Sequence, residues 1–195
     1  MAYSENESLN VIEKEKNIFF CEEFDQYEEQ CIYFCDPIKN NIINEGNFIR
    51  ILYSKPFVLL NGIYLRFSLN IFSAEKYYNK LKLHFNKNEH MNIIEKCKEI
   101  EENILNKMSL NKIAQYKVFE QFKNGNIKIF NECLSNDLNF FIGNCSFVLK
   151  ISGIWENDTF YGLTFKFLCR GTPYGVPPTT PSLVGGRTSP LQPPL

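Results

Sequence analysis

Residues 147–167, FVLKISGIWENDTFYGLTFKF, form two alternating apolar runs around a polar turn, and a chain that carries them is committed to building a sheet. In the first run Phe147, Leu149, Ile151, Gly153 and Trp155 fall on one face. In the second, Tyr161, Leu163, Phe165 and Phe167 alternate against Phe160, Gly162, Thr164 and Lys166. Glu156-Asn157-Asp158-Thr159 supplies the turn, and the rest of the chain is expected to pack against or beside this hairpin.

Upstream, the pattern adds more strands and one helix. Phe48 to Tyr53 reads as a strand. Phe57 to Leu60 and Ile63 to Leu69, joined by Asn61-Gly62, read as a hairpin with a type I′ turn. Its outgoing strand sets Tyr64, Arg66 and Ser68 on an exposed face opposite Ile63, Leu65, Phe67 and Leu69. Ser73 to Phe85 is expected to be a helical turn followed by a strand. Glu89 to Met108 is a helix, because Met91, Ile93, Ile94, Cys97, Ile100, Ile104, Leu105 and Met108 recur at three- and four-residue steps. Gln115 to Phe122 and Ile127 to Phe130 read as a second hairpin around Lys123-Asn124-Gly125-Asn126.

These elements define a domain over 17–170 with a helix at 89–108, preceded by an acidic, disordered arm at 1–16. Residues 171–195 hold seven prolines and one charge, Arg187, and cannot build a core. They are expected to be a disordered Pro/Gly-rich tail, either a non-native or frame-shifted end or a natural linker. The fold class is α+β, mostly antiparallel, an OB-like barrel or a sandwich with one long helix inserted before the last strands. In the barrel of that type the helix lies between the third and fourth strands.

Composition narrows the function classes. At 44% hydrophobic and 15% aromatic residues over 195 positions, the chain can bury a sizeable core. No apolar run approaches the ~20 residues needed to span a bilayer, and the N-terminus lacks a basic flank and an apolar signal core. An intracellular protein, in a host cytoplasm or nucleus if viral, is expected. The seven cysteines read as reduced thiols, and neither Cys31/Cys35 nor His84 and His90 show zinc spacing, so no metal or other cofactor is expected.

Enzymatic signatures are missing. There is no G-x-S-x-G elbow, no Walker loop and no G-x-G-x-x-G. The adjacent pairs Glu22-Glu23, Glu28-Glu29 and Glu101-Glu102 read as solvated charge, since neighbouring residues point in different directions. A non-enzymatic protein follows.

Charge is unevenly distributed. Residues 1–49 hold eleven acidic and three basic residues, whereas residues 50–88 hold seven basic residues and only Glu75. Within that basic stretch Arg50, Tyr53, Lys55, Tyr64, Arg66, Lys76, Tyr77, Lys80 and Lys82 are the candidate binding residues. Single-stranded nucleic acid needs this mixture, cations for its phosphates and ring faces for its unpaired bases. Aromatics in the core under covering lysines would produce the same pattern, and Trp155 reads as a hairpin anchor.

The closing hairpin, with Lys150-Ile151-Ser152-Gly153-Ile154-Trp155-Glu156 and Tyr161-Gly162-Leu163-Thr164-Phe165-Lys166-Phe167, resembles the C-terminal hairpin of small proteins from large DNA viruses and virus-like elements. Together with the helix-in-barrel order, it resembles the viral and phage single-stranded DNA-binding proteins. The resemblance implies sequence-tolerant binding of single-stranded DNA in viral-type replication or recombination. Phage proteins of this kind end in an acidic tail that recruits partners and competes for the groove. Here the acidic segment is N-terminal, where it would modulate binding or meet a protein partner. The alternative is a structural, self-associating virion or interaction protein without a nucleic-acid ligand.

Overall fold

The computed structural model of the protein describes residues 21–40, 46–130 and 138–169. The expected arm at 1–16 and tail at 171–195 lie outside these residues. The strands are β1 (Glu22–Glu23), β2 (Ile32–Phe34), β3 (Ile38–Lys39), β4 (Asn47–Lys55), β5 (Val58–Leu60), β6 (Ile63–Tyr77), β7 (Lys80–Phe85), β8 (Ile113–Gln115), β9 (Asn126–Phe130), β10 (Gly143–Glu156) and β11 (Phe160–Cys169). Two helices, α1 (Met91–Met108) and α2 (Lys117–Lys123), fall between β7 and β9.

Five strands close a barrel in the order β6-β7-β9-β11-β10 and back to β6. All its pairings are antiparallel except β9 with β11, where Ile129 lies opposite Phe167. Counted along the chain, this is first-second-third-fifth-fourth-first, an OB-like barrel. The helices, however, enter between the second and third barrel strands, not between the third and fourth.

The barrel closes because β10 is long enough to serve several neighbours. Residues 143–151 pair with β6, and beyond a bulge at Ser152 the same edge continues along β4, with Gly153 opposite Arg50. Gly153 is required there: a Cβ would strike the Ile49 carbonyl and the Phe48 ring. Inside, Phe67 is the hub, with ring centroids of Phe24, Phe122, Phe147 and Phe167 at 5.5–6.0 Å. Phe122 projects from α2 and also meets Phe85, so the short helix plugs the barrel.

Several sequence expectations change. Residues 117–123 are helical, not a strand; Val118 and Phe122 stand four apart, and over so short a run periods of 2 and 3.6 cannot be told apart. β9 therefore pairs with β7 and β11 and is not half of a local hairpin. Ser73 to Tyr77 is the end of β6, held in extended form by β7. The Asn61-Gly62 turn is not type I′: Gly62 has φ 112°, Asn61 has no positive φ, and β5 folds back on β4 through Pro56-Phe57.

The closing hairpin forms as expected, with Trp155 opposite Gly162. The extra residue at Ser152 reverses the alternation, so Ile154 and Glu156 turn inward and Trp155 turns out, onto the surface that Gly162 leaves open. Helix α1 buries Ile94, Cys97, Ile100, Ile104 and Leu105 of the expected stripe, leaves Met91 exposed, and buries Glu101, which is 1% exposed rather than solvated.

Candidate nucleic-acid interface

The outer faces of β6, β7 and β9 align three rows of side chains. A second bulge, at Phe72, shifts the outward side of β6 from Tyr64, Arg66 and Ser68 to Ser73, Glu75 and Tyr77. Across the sheet Tyr77 faces Lys80 and Lys80 faces Phe130; Glu75 faces Lys82 and Lys82 faces Lys128; Ser73 faces His84 and His84 faces Asn126. The β7 residues inward of these, Leu81, Leu83 and Phe85, are buried in the core. Cations and rings are interleaved here: Lys128 Nζ lies 4.4 Å from the Tyr77 ring centre and Lys80 Nζ 4.6 Å from that of Phe130. Tyr77, Tyr78 and Phe130 are all exposed. In OB-type barrels the second and third strands and the loop joining the first two are where oligonucleotides bind, and β7, β9 and the Tyr78-Asn79 turn occupy those places.

Glu75 is the one carboxylate in these rows. Its Oε1 accepts from Lys82 at 2.9 Å and lies 3.1 Å from His84 Nε2, and these partners hold it below the usual carboxylate range. Lys76 pairs with Leu81 and points to the opposite side of the hairpin tip.

The other predicted residues do not join this face. Arg66 lies about 35 Å of strand from Tyr77, eleven residues at ~3.3 Å each. Tyr64, expected on an exposed platform, is only 4% exposed and lies beneath Lys150, whose Nζ is 4.9 Å from its ring centre. Arg50 is exposed but donates to the Asn61 side chain on the outside of β4.

Acidic residues, expected to be solvated, cover the remainder. β1 runs parallel to β6, with Glu23 opposite Arg66. Arg66 sends Nε and a terminal NH2 to Glu23 Oε1 at 2.7 and 2.6 Å. Lys55 Nζ meets Glu22 at 2.5 Å and Glu28 at 2.9 Å. Burial alone would lower Lys55; hydrogen bonds to Glu22 and Glu28 outweigh it and raise its pKa. Tyr53 is buried, donates its hydroxyl proton to Glu22, and accepts from the Glu28 N–H at 2.9 Å. Burial pushes that hydroxyl up to about 12.

Glu101 has a structural task. Its two oxygens accept the N–H groups of Val118 at 3.1 Å and Phe119 at 2.7 Å, satisfying donors that the start of α2 leaves unpaired. Burial raises its pKa to about 7, against the pull of those N–H groups. His90 accepts from the Asn70 N–H at 3.0 Å, and burial lowers its pKa. Among the described residues no three His, Cys, Asp or Glu side chains group as metal ligands, and no helix is long and apolar enough to cross a membrane.

The chain matches no family model, and no curated protein or solved structure shows significant similarity to it. Sequence reading missed Lys128 and Phe130. Their spacing in Ile127-Lys128-Ile129-Phe130 put them on one face, but only the pairing of β9 with β7, more than forty residues apart in the chain, sets that face beside Lys80 and Lys82.

Proposed function

We propose that the protein binds single-stranded DNA without strong sequence preference, in replication or recombination of viral type. One observation carries this reading: the register of β6, β7 and β9 lines up Tyr77, Lys80 and Phe130 beside Lys82 and Lys128 on an outer face. Ring faces accept any base, and ammonium groups replace counterions along the phosphates. The resemblance of the closing hairpin to proteins of large DNA viruses supports the biological setting. Fluorescence titration with oligo-dT at roughly 50 and 200 mM salt tests the reading, with binding expected at low salt and weakened at high salt. No binding at low salt, or affinity indifferent to salt, sinks it.

A second reading, self-association as a structural protein, draws on the exposed Tyr33, Phe57 and Leu59 on the β2-β4-β5 side. Light scattering separates the two, since concentration-dependent assembly indifferent to DNA favours the second.

A further inference from the structure

A cleft of about 390 Å³ opens between α2 and the outer face of β7 and β9. Three ammonium groups line it: Lys82 and Lys128 from the sheet and Lys117 from the helix. We propose that this cleft binds a phosphate monoester, the terminal phosphate of a nucleic-acid strand or of a free nucleotide. The inference deepens the strand-binding reading and rests on it for the strand that would deliver the phosphate.

The placement of the lysines points to an anion. Lys82 and Lys128 are directly opposed on adjacent antiparallel strands, where like charges destabilise a sheet. Glu75 engages Lys82 at 2.9 Å from the β6 side, and Lys128 rests against the Tyr77 ring, so neither ammonium is neutralised from within the cleft. On the opposite wall Lys117 meets Glu120 at 3.0 Å, and Glu120 is the only carboxylate among the lining residues. Three ammonium groups against Glu120, with Glu75 offsetting part of Lys82 from outside, leave between one and two positive charges. A phosphodiester carries one negative charge, whereas a monoester carries about 1.5 to 2 at neutral pH, the closer match.

The walls are fixed before any ligand arrives. The Lys128 N–H donates to Gln121 Oε1 at 2.9 Å, which ties α2 to β9, and Asn126 donates its side-chain amide to the Asn124 carbonyl at 3.2 Å. With Phe122 locking α2 into the barrel, the spacing of the backbones that carry Lys117 and the two sheet lysines is set by the core. Tyr77 also lines the cleft, with Lys128 Nζ over its ring and Tyr78 packed edge-on beside it.

The test compares dT oligonucleotides bearing a 5′-phosphate, a 3′-phosphate or hydroxyl ends, by fluorescence anisotropy on the full chain. One phosphorylated end is expected to bind about tenfold tighter than the hydroxyl form, and the preferred end gives the polarity of the strand. In Lys117→Gln that ratio is expected to fall to about one, with a melting curve confirming that the variant folds. In parallel, dTMP and thymidine are titrated against the backbone amide resonances of Lys117, Gln121 and Lys128, which dTMP alone should move. If no oligonucleotide binds but dTMP does and thymidine does not, the strand-binding reading fails and the cleft remains a nucleotide-phosphate site. Equal affinity of all three oligonucleotides together with equal response to dTMP and thymidine overturns the proposal. So does a phosphate preference that survives Lys117→Gln.

Discussion

The basic stretch from Arg50 to Lys87 divides into two halves that meet opposite surroundings. At one end Lys55, Arg66 and Tyr53 lie under Glu22, Glu23 and Glu28, each cation satisfied by carboxylate oxygens from a segment folded across it. At the other end Lys80, Lys82 and Tyr77 share an outer face with Lys128 and Phe130, where Glu75 is the carboxylate in the same rows. The first half holds structure together; the second leaves charge and rings available. Charge density along a sequence therefore counts cations without saying which are already partnered.

The difference between the halves can be broken most strongly at the rings. Replacing Tyr77 and Phe130 together by Ala is expected to weaken oligo-dT binding at least 30-fold, at ~1–3 kcal/mol per lost stacking surface, with little change in stability because both rings are exposed. Equal affinity in an anisotropy titration would remove the open face from the binding surface.

The converse change is made at Tyr53. Tyr53→Phe deletes the hydroxyl that joins Glu22 to the Glu28 N–H, and a loss of about 1–3 kcal/mol in urea unfolding is expected, with oligo-dT affinity unchanged. A variant that binds DNA poorly yet unfolds like its parent would show that the covered half is part of the interface after all.

Uncovering that half is a smaller effect. In the triple variant Glu22→Gln, Glu23→Gln, Glu28→Gln, the ammonium of Lys55 and the guanidinium of Arg66 lose their charged partners. The dependence of log affinity on log salt should steepen by about 1.4, ~0.7 for each released cation on a single strand. An unchanged slope would mean that a strand on the open face cannot reach them.

Glu101 gives a change confined to stability and to its pH dependence. Its folded pKa of about 7 lies above its ordinary value of 4.5, so between those limits the folded state holds a proton that the unfolded chain has released. Stability accordingly falls as pH rises from about 4.5 to about 7 and levels off above. Glu101→Gln removes the titration while keeping one of the two acceptor oxygens; its NH2 faces the other α2 N–H, so the variant is less stable at every pH. It should flatten the melting temperature over that range, which thermal unfolding at several pH values would show.

How far each element was legible depended on the reach of the interaction that fixes it. The closing hairpin was readable throughout because alternation and turn residues are local, yet the side taken by Trp155 was not, since the bulge at Ser152 arises where β10 passes from β6 to β4. Helix α1 was readable from its stripe. The burial of Glu101 was not, because its reason is a second helix seventeen residues away, read from sequence as a strand. The bulge at Phe72 had the same effect on the site: it turned Tyr77 outward beside Lys80, while eleven residues of strand keep it from Arg66.

The sequence by itself determined that this chain is mostly β, a barrel or a sandwich, with one long amphipathic helix and an acidic segment set against a basic one. Those properties follow from period, turn chemistry and composition, which act over a few residues. Tertiary structure alone decided which basic residues face solvent. Register between distant strands puts Lys82 beside Lys128, and the fold of residues 22–28 across β4 and β6 neutralises Lys55 and Arg66.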